Sequence, residues 1–388
     1  MNAHAGCGVG GGTTVLGPSI PVRAAAAAGV TGSPAAAERV TAPLAAPLPT
    51  SVDPPVAGAG LVDRFGRVHR DLRISLTDRC SLRCTYCMPA DGVPWIPGRD
   101  LLSTDELVRV AAVAVGMGVT EVRLTGGEPL LRPDVVDVVA RIAALTGPGG
   151  SPEVSLTTNA LRLPALAAPL AAAGLARVNI SIDTLRRDRF AELTRRDRLH
   201  DVLAGIAAAD AAGFRPLKLN AVAMRGVNDD ELVDLVRFAA DRGYEMRFIE
   251  QMPLDAGHVW SRVAMVTGPE ILATLSEAFT LTPVPGRGSA PAERWYVDGG
   301  PASVGVIASV TAPFCGSCDR IRLTADGQLR SCLFARTETD LRALVRAGAD
   351  DVALEAAVLA CLAGKLAGHG IDDPSFLQPD RPMSAIGG

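Results

Sequence analysis

The sequence is nearly without lysine. Only Lys218 and Lys365 occur in 388 residues, so 36 of the 38 basic side chains are arginine. Base composition accounts for most of such a bias, which makes the position of each lone lysine informative. There is no block of like charge, and the net charge is only −4. That argues against a protein that coats nucleic acid and against a polybasic membrane binder. No run of about 18 apolar residues exists, so no transmembrane helix is expected. Residues 1–30 hold a single arginine, Arg23, and no continuous apolar stretch, so no secretory signal is expected. No Gly-x-Gly-x-x-Gly follows the first strand candidate, which leaves a dinucleotide fold with little support.

What is present is ordinary in bulk. Hydrophobic residues make up 48% and charged residues 21%, enough to bury a large core. The length exceeds one small domain, so two ordered parts plus extras are expected. Residues 1–60 are mostly Gly, Ala, Pro, Ser, Thr and Val, which cannot build a core, and they read as disordered. A transit peptide is the rival reading, but only Arg23 and Arg39 are available for it. The eight cysteines do not imply disulfides in a chain of this length.

From Leu72 onward a unit repeats: a short β-branched run, a polar turn, then an amphipathic helical stretch. Strands are expected at 72–77, 121–125, 153–158, 177–182, 216–222 and 244–249. A capping box, Ser103-Thr104-Asp105-Glu106, opens the first helix. Six strand–helix units in series imply an α/β fold with a parallel sheet, either open or curved into a partial (βα)6 barrel. The barrel is expected over 61–255, followed by an α+β region over 256–388.

Alternation within these strands is the most informative pattern. Leu72, Ile74 and Leu76 oppose Arg73, Ser75 and Thr77. Val122 and Leu124 oppose Arg123 and Thr125. Val154 and Leu156 oppose Ser155 and Thr157, and Val178, Ile180 and Ile182 oppose Asn179, Ser181 and Asp183. Leu217 and Leu219 oppose Lys218 and Asn220, and Arg247 lies between Met246 and Phe248. The apolar face must pack on the helices. The other face carries charge that a dry core cannot hold. With Arg73, Arg123, Lys218 and Arg247 on it, that face should surround an anionic ligand, most simply a polyphosphate. The bland alternative is an open sheet whose polar face is merely wet.

Cys80, Cys84 and Cys87 follow the first strand directly. Three thiolates in that spacing suit three irons of a [4Fe–4S] cube and leave the fourth iron open. A structural zinc site would want a fourth ligand, and the nearest histidines are His69 and His200. Cys315, Cys318 and Cys332 form a second set. Asp326-Gly327 between strand-like runs predicts a two-residue hairpin turn, which pairs Ala325 with Gln328 and Ile321 with Cys332. That register gathers the three thiols and sets Arg320 and Arg322 on one face beside them. A zinc site completed by Cys361 or His369 is the alternative here.

The motif C-x3-C-x2-C after a strand, with Tyr86 before the last cysteine, resembles the radical S-adenosylmethionine (SAM) superfamily. Thr125-Gly126-Gly127-Glu128-Pro129 resembles its GGEP element. The two triads, these elements, the polar strand residues and the terminal Gly387-Gly388 together resemble the GTP 3′,8-cyclase family of molybdenum cofactor biosynthesis, over about Val62 to Gly388. The resemblance implies two [4Fe–4S] clusters, one on Cys80, Cys84 and Cys87 that binds SAM, and one on Cys315, Cys318 and Cys332 that binds guanine. It implies SAM contacts at Tyr86, Gly127, Ser181 and Met252. It implies GTP contacts at Arg73, Arg123, Thr157, Lys218, Arg247, Arg320, Ile321 and Arg322, with Gly387 and Gly388 threaded beside them. Arg73, Arg320 and Arg322 are the implied catalytic side chains. In the implied reaction a radical derived from SAM takes the 3′ hydrogen of GTP, and C3′ then joins C8. The resemblance also implies an electron donor such as a flavodoxin or ferredoxin, a product passed to cyclic pyranopterin monophosphate synthase, and a monomer or homodimer. Iron–sulfur chemistry needs a reducing compartment, so the cytoplasm is expected. Two positions depart from the family pattern: Ala160, where Gly is frequent, and Glu121, where a lysine is frequent.

Two other readings remain at this point. A peptide-maturing radical SAM enzyme would usually carry more C-terminal cysteines. A zinc-stabilised binding protein without catalysis would be colourless, whereas two cubes would make the protein brown.

Overall fold

Ser103 Oγ accepts from the backbone N–H of Glu106 at 3.2 Å, and the Glu106 carboxylate accepts from the N–H of Ser103 at 2.8 Å. This closed capping box starts helix α1 (Thr104–Gly116) where the sequence predicts it. The computed structural model describes residues 60–258 and 260–387. The disorder expected for the N-terminal tail, and the expected role of Gly388, lie outside the described residues.

Six strands alternate with helices through the first two-thirds of the described chain. They are β1 (Asp71–Ser75), β2 (Glu121–Thr125), β3 (Glu153–Thr158), β4 (Leu175–Ser181), β5 (Lys218–Ala223) and β6 (Glu245–Glu250). Between them run α1, α2 (Val135–Ala143), α3 (Leu163–Ala172), α4 (Arg187–Thr194), α5 (Leu199–Ala211) and α6 (Leu232–Ala240). Neighbouring strands of this set all pair in parallel. The result is a partial barrel of the (βα) type.

The C-terminal part extends the same sheet at both edges. After α7 (Gly268–Ser276) come β7 (Leu281–Pro283), β8 (Glu293–Val297) and β9 (Ser303–Ile307), and β9 lies parallel to β6. β10 (Arg320–Leu323) lies parallel to β1 at the opposite edge, with β11 (Gln328–Arg330) and β12 (Thr339–Asp340) outside it. Helices α8 (Leu341–Arg346), α9 (Asp351–Ala363) and α10 (Met383–Ile386) follow.

The predicted faces are the observed ones. Leu72, Ile74, Val122, Leu124, Leu156, Val178, Ile180 and Leu219 are each at most 1% exposed, within one core against the helices. Each such side chain contributes roughly 1.5–3 kcal/mol by leaving water.

The hairpin differs from its expected register. Arg322 pairs with Arg330 and Leu323 with Leu329, so the loop has three residues rather than two. Thr324 closes the loop through its N–H to the Gln328 carbonyl, while Gly327 sits at φ +78. A turn followed by a left-handed glycine absorbs one residue more than the two-residue Asp-Gly turn does. By this count Cys332 stands opposite Arg320, not Ile321.

Candidate active site

The register places three guanidinium groups in one row across the sheet. Arg73 is the strand partner of Arg322 on one side and of Arg123 on the other. Farther round, Lys218 pairs with Asn179, and Arg247 with Asn220. Adjacent strands lie only about 4.8 Å apart, so these cations crowd one another. Burial is the first cause that pushes the Arg73 guanidinium down, to about 10, with Arg123 and Arg320 adding to it and Asp71 opposing. Burial, then repulsion from Arg73 and Arg320, pushes Arg322 well down. Lys218 falls to about 7, first through burial and then through Arg247 and Arg177. Partial compensation is present: Asp71 lies 3.4 Å from Arg73, and Glu245 bonds Arg247. Among the described residues, Arg123 Nε is buried without a partner. Such a surface is completed by an anion.

Two adjoining cavities open on this face. The larger is lined by Arg73, Arg123, Arg247, Arg320 and Arg322, and by Cys315, Cys318 and Cys332. The smaller is lined by Cys80, Cys84 and Cys87 and by Gly127. Tyr86, Thr157, Ser181, Asp183 and Met383 border both. Met252 borders the larger one. The site residues expected from the sequence therefore converge, with two qualifications. Lys218 is nearly buried and does not border either cavity, although it shares the face of Asn220, which does. Ile321 is packed in the core, 1% exposed, so only its backbone faces this region. Gly387 is drawn in from the far end of the chain and accepts from Arg322 Nη1 at 2.5 Å.

All six thiols are free. Burial raises the Cys84 thiol first, with Asp183, Cys87 and Cys80 adding to it, which marks the first triad as mutual neighbours. Burial raises Cys315 as well, with Cys332 and Cys318 adding to it. Cys318 is the exception. Burial pushes it up, but Arg320 and Lys365 outweigh that and hold it near 7. Arg320 Nε and Nη2 both point at its sulfur from 3.3 Å. The two side chains that a zinc site at the second triad would need, Cys361 and His369, are occupied elsewhere. Cys361 donates to the Leu329 carbonyl, and His369 uses one ring nitrogen on Ser309 and the other on the Ile371 N–H. His69 lies near the second triad, not the first. Among the described residues, no three His, Cys, Asp or Glu side chains are drawn to the spacing of a single metal ion. Each triad supplies three thiols and, among the described residues, no fourth protein ligand, a donor set that fits a cube with one open position.

Comparison with known proteins decides the family. Residues 74–239 match the Radical SAM superfamily, and residues 244–371 match Molybdenum Cofactor Synthesis C. GTP 3′,8-cyclase of Streptomyces coelicolor is 59% identical over 331 residues, covering 84% of this chain and 96% of the relative. GTP 3′,8-cyclase 2 of Mycobacterium tuberculosis is 58% identical over 334 residues, covering 84% and 92%. This chain belongs to the GTP 3′,8-cyclase family. It is accordingly a radical SAM enzyme, with SAM and [4Fe–4S] clusters as cofactors. The fold is shared with Streptococcus suis SuiB solved with S-adenosylmethionine, at a TM-score of 0.51 and 14% identity over 75% of this chain and 68% of that one.

In this cyclase-family chain several working residues escape the motif reading. Tyr86 donates to Asp183 Oδ2 at 2.8 Å, and Asp183 Oδ1 accepts from Val222 N–H at 2.9 Å. Burial raises that carboxyl to about 6. Its position at the end of an alternating strand was the available signal. The glycines of the GGEP element serve packing first. A Cβ on Gly126 would lie 2.4 Å from the Thr77 carbonyl, and one on Gly127 would lie 2.4 Å from that of Arg79. Only glycine lets this turn close on the cysteine loop. Glu128 braces the same turn by accepting from Thr158 Oγ1, Asn159 N and Leu130 N at 2.7–3.0 Å. The Glu121 carboxylate holds Arg177, together with Glu153. Arg177 lies two residues before Asn179, on the cationic face.

Proposed function

We infer that this chain is a radical SAM GTP 3′,8-cyclase. It converts GTP, SAM and a reductant to (8S)-3′,8-cyclo-7,8-dihydroguanosine 5′-triphosphate, 5′-deoxyadenosine and methionine, the first step of molybdenum cofactor biosynthesis. The row Arg322, Arg73 and Arg123, facing the same lumen as both thiol triads, is the observation that carries this reading. A polyphosphate relieves the crowding of those cations, and the nucleoside end then extends toward the cysteines.

Cys80, Cys84 and Cys87 hold the cluster that supplies the electron for SAM cleavage, and Cys315, Cys318 and Cys332 hold the one that meets the guanine. Tyr86, Gly127, Ser181 and Met252 surround SAM where the two cavities adjoin. Arg73, Arg123, Lys218 and Arg247 neutralise the triphosphate. Thr157, Arg320, Arg322 and the backbone of Ile321 orient the nucleoside, with Gly387 closing beside it. Arg73, Arg320 and Arg322 act during the chemistry itself. Holding C3′ of the ribose against C5′ of the adenosyl group is the main task of this scaffold, since orientation alone lowers such barriers by several kcal/mol. A small low-potential protein such as a flavodoxin or ferredoxin delivers the electrons. The product goes to cyclic pyranopterin monophosphate synthase. The protein works in the cytoplasm as a monomer or homodimer, with the barrel over 61–255 and the auxiliary-cluster part over 256–388.

The test is anaerobic reconstitution followed by GTP, SAM and dithionite, with mass spectrometry of the products. A cyclised nucleotide should accumulate with 5′-deoxyadenosine. Formation of 5′-deoxyadenosine with GTP left unchanged would overturn the substrate assignment.

A further inference from the structure

Lys365 is one of only two lysines in the chain and is 2% exposed. It follows α9 and turns its ammonium toward the second thiol triad. Three acceptors surround the Nζ: the Arg320 carbonyl at 2.8 Å, His69 Nδ1 at 3.4 Å and Cys318 Sγ at 3.9 Å. An ammonium has three donors and no acceptor, so these contacts suit its charged form, although burial works against the charge and lowers its pKa.

The tautomer of His69 follows from its other nitrogen. Nε2 lies 3.0 Å from Asp63 Oδ2. Asp63 also accepts from Arg67 Nε at 2.6 Å and from the backbone N–H groups of Phe65 and Arg67. A carboxylate held by so many donors stays ionised, so Nε2 carries the proton and Nδ1 offers its lone pair to Lys365. Asp63, His69, Lys365 and Cys318 thus form one line of side chains ending on a sulfur. None of the first three borders either cavity, so substrate contact does not account for them. Burying an ammonium costs several kcal/mol, which an apolar side chain in its place would avoid.

We propose that Lys365 raises the reduction potential of the [4Fe–4S] cluster held by Cys315, Cys318 and Cys332, by adding a second fixed positive charge and a further N–H against the Cys318 sulfur, which Arg320 already meets from 3.3 Å. This rests on the cluster assignment given under the proposed function. One-electron reduction adds a negative charge to the cluster and its sulfurs. A fixed cation beside a ligand sulfur stabilises the reduced form more than the oxidised form and raises the potential. Among the described residues, no cation hydrogen-bonds a sulfur of the first triad, where Arg83 acts on Cys80 only through its charge. Cys80 accepts from Leu82 N–H at 3.4 Å and Asn159 Nδ2 at 3.8 Å, both neutral groups. The second cluster is therefore the easier of the two to reduce. Lys365 is a positioning residue, acting through Cys318.

The test is a dithionite titration of the full-length, reconstituted protein, followed by electron paramagnetic resonance. Addition of SAM identifies the signal of the first cluster, which serves as the internal reference. Lys365→Met should lower the midpoint of the second cluster by about 59 mV or more, tenfold in its one-electron equilibrium, and leave the first unchanged. Lys365→Arg should restore the parent value. An unchanged midpoint in a Lys365→Met protein that carries both clusters would overturn the inference. If Lys365→Met loads no second cluster, Lys365→Gln decides by the same titration. Failure of both variants to load it would mean that Lys365 builds the site rather than tunes it, which also overturns the inference. Absence of a second cluster from the parent protein would instead sink the cluster assignment.

Discussion

Arg322 Nη1 donates to the carbonyl of Gly387, at 2.5 Å, across 65 positions of sequence. The contact ties the C-terminal end to one end of the arginine row, because Arg322 is the strand partner of Arg73, which stands in its middle. Gly387 reaches it with φ +88, and a Cβ there would lie 2.4 Å from Thr125 Oγ1. Both the conformation, worth about 1–2 kcal/mol, and the space exclude a side chain. Gly387→Ala should therefore reduce cyclised product by about tenfold or more, with the melting temperature nearly unchanged. Product yield and thermal unfolding, measured on one preparation, check this.

Lys218 should make GTP binding a proton-consuming event. Burial, Arg247 and Arg177 lower its pKa from 10.5 to about 7. In the unfolded chain it keeps its proton up to the ordinary value. The cost of folding around it is thus full below pH 7 and is relieved as pH rises from 7 toward 10.5. A bound triphosphate reverses the shift, so binding at pH 8 draws a proton onto Lys218. Calorimetry in two buffers of different ionisation enthalpy should find that uptake in the parent and lose it in Lys218→Met, which should also bind GTP more weakly. Equal uptake in both proteins would count against the placement of the phosphates.

Glu128 should prove to be a brace. Burial raises its pKa to about 6, against the three donors from Asn159, Thr158 and Leu130. Its folded pKa is above the unfolded value of 4.5, so the stability it contributes is fully present below 4.5 and declines as pH rises through 6. Glu128→Gln turns an amide N–H2 toward some of those donors, at a cost of about 1–3 kcal/mol. Thermal unfolding at pH 7 should show that loss. A variant as stable as the parent would contradict the role.

The two triads should be separable. Reconstituted parent protein should carry about eight irons, and Cys80→Ala or Cys332→Ala about four. Cys80→Ala should abolish SAM cleavage, and Cys332→Ala should remove only the second resonance signal. Loss of both signals in Cys332→Ala would argue against independent sites.

Much of this was legible because strand alternation is a strong local constraint. Arg73, Arg123, Thr157, Ser181 and Arg247 could be assigned to one face from period two alone, and the cysteine spacings carried the rest. What was not legible falls where long-range geometry decides. The hairpin register depended on whether Gly327 joined the loop, which Asp326-Gly327 by itself does not tell. Ile321 follows Arg320 in sequence, yet alternation sends its side chain into the core. Arg177 stood at the edge of a strand whose start was placed at that residue. Lys365 was noticed only as a rarity, because its partners, His69 on one side and Cys318 and Arg320 on the other, come from two distant segments.

The central claim is that this active site brings C3′ of a bound GTP ribose to the radical carbon derived from SAM. GTP carrying deuterium at C3′ tests it directly, under anaerobic turnover with SAM and dithionite. The 5′-deoxyadenosine formed should gain one deuterium, and the cyclised nucleotide should lose it. Unlabelled 5′-deoxyadenosine, formed while cyclised product accumulates, would contradict the account.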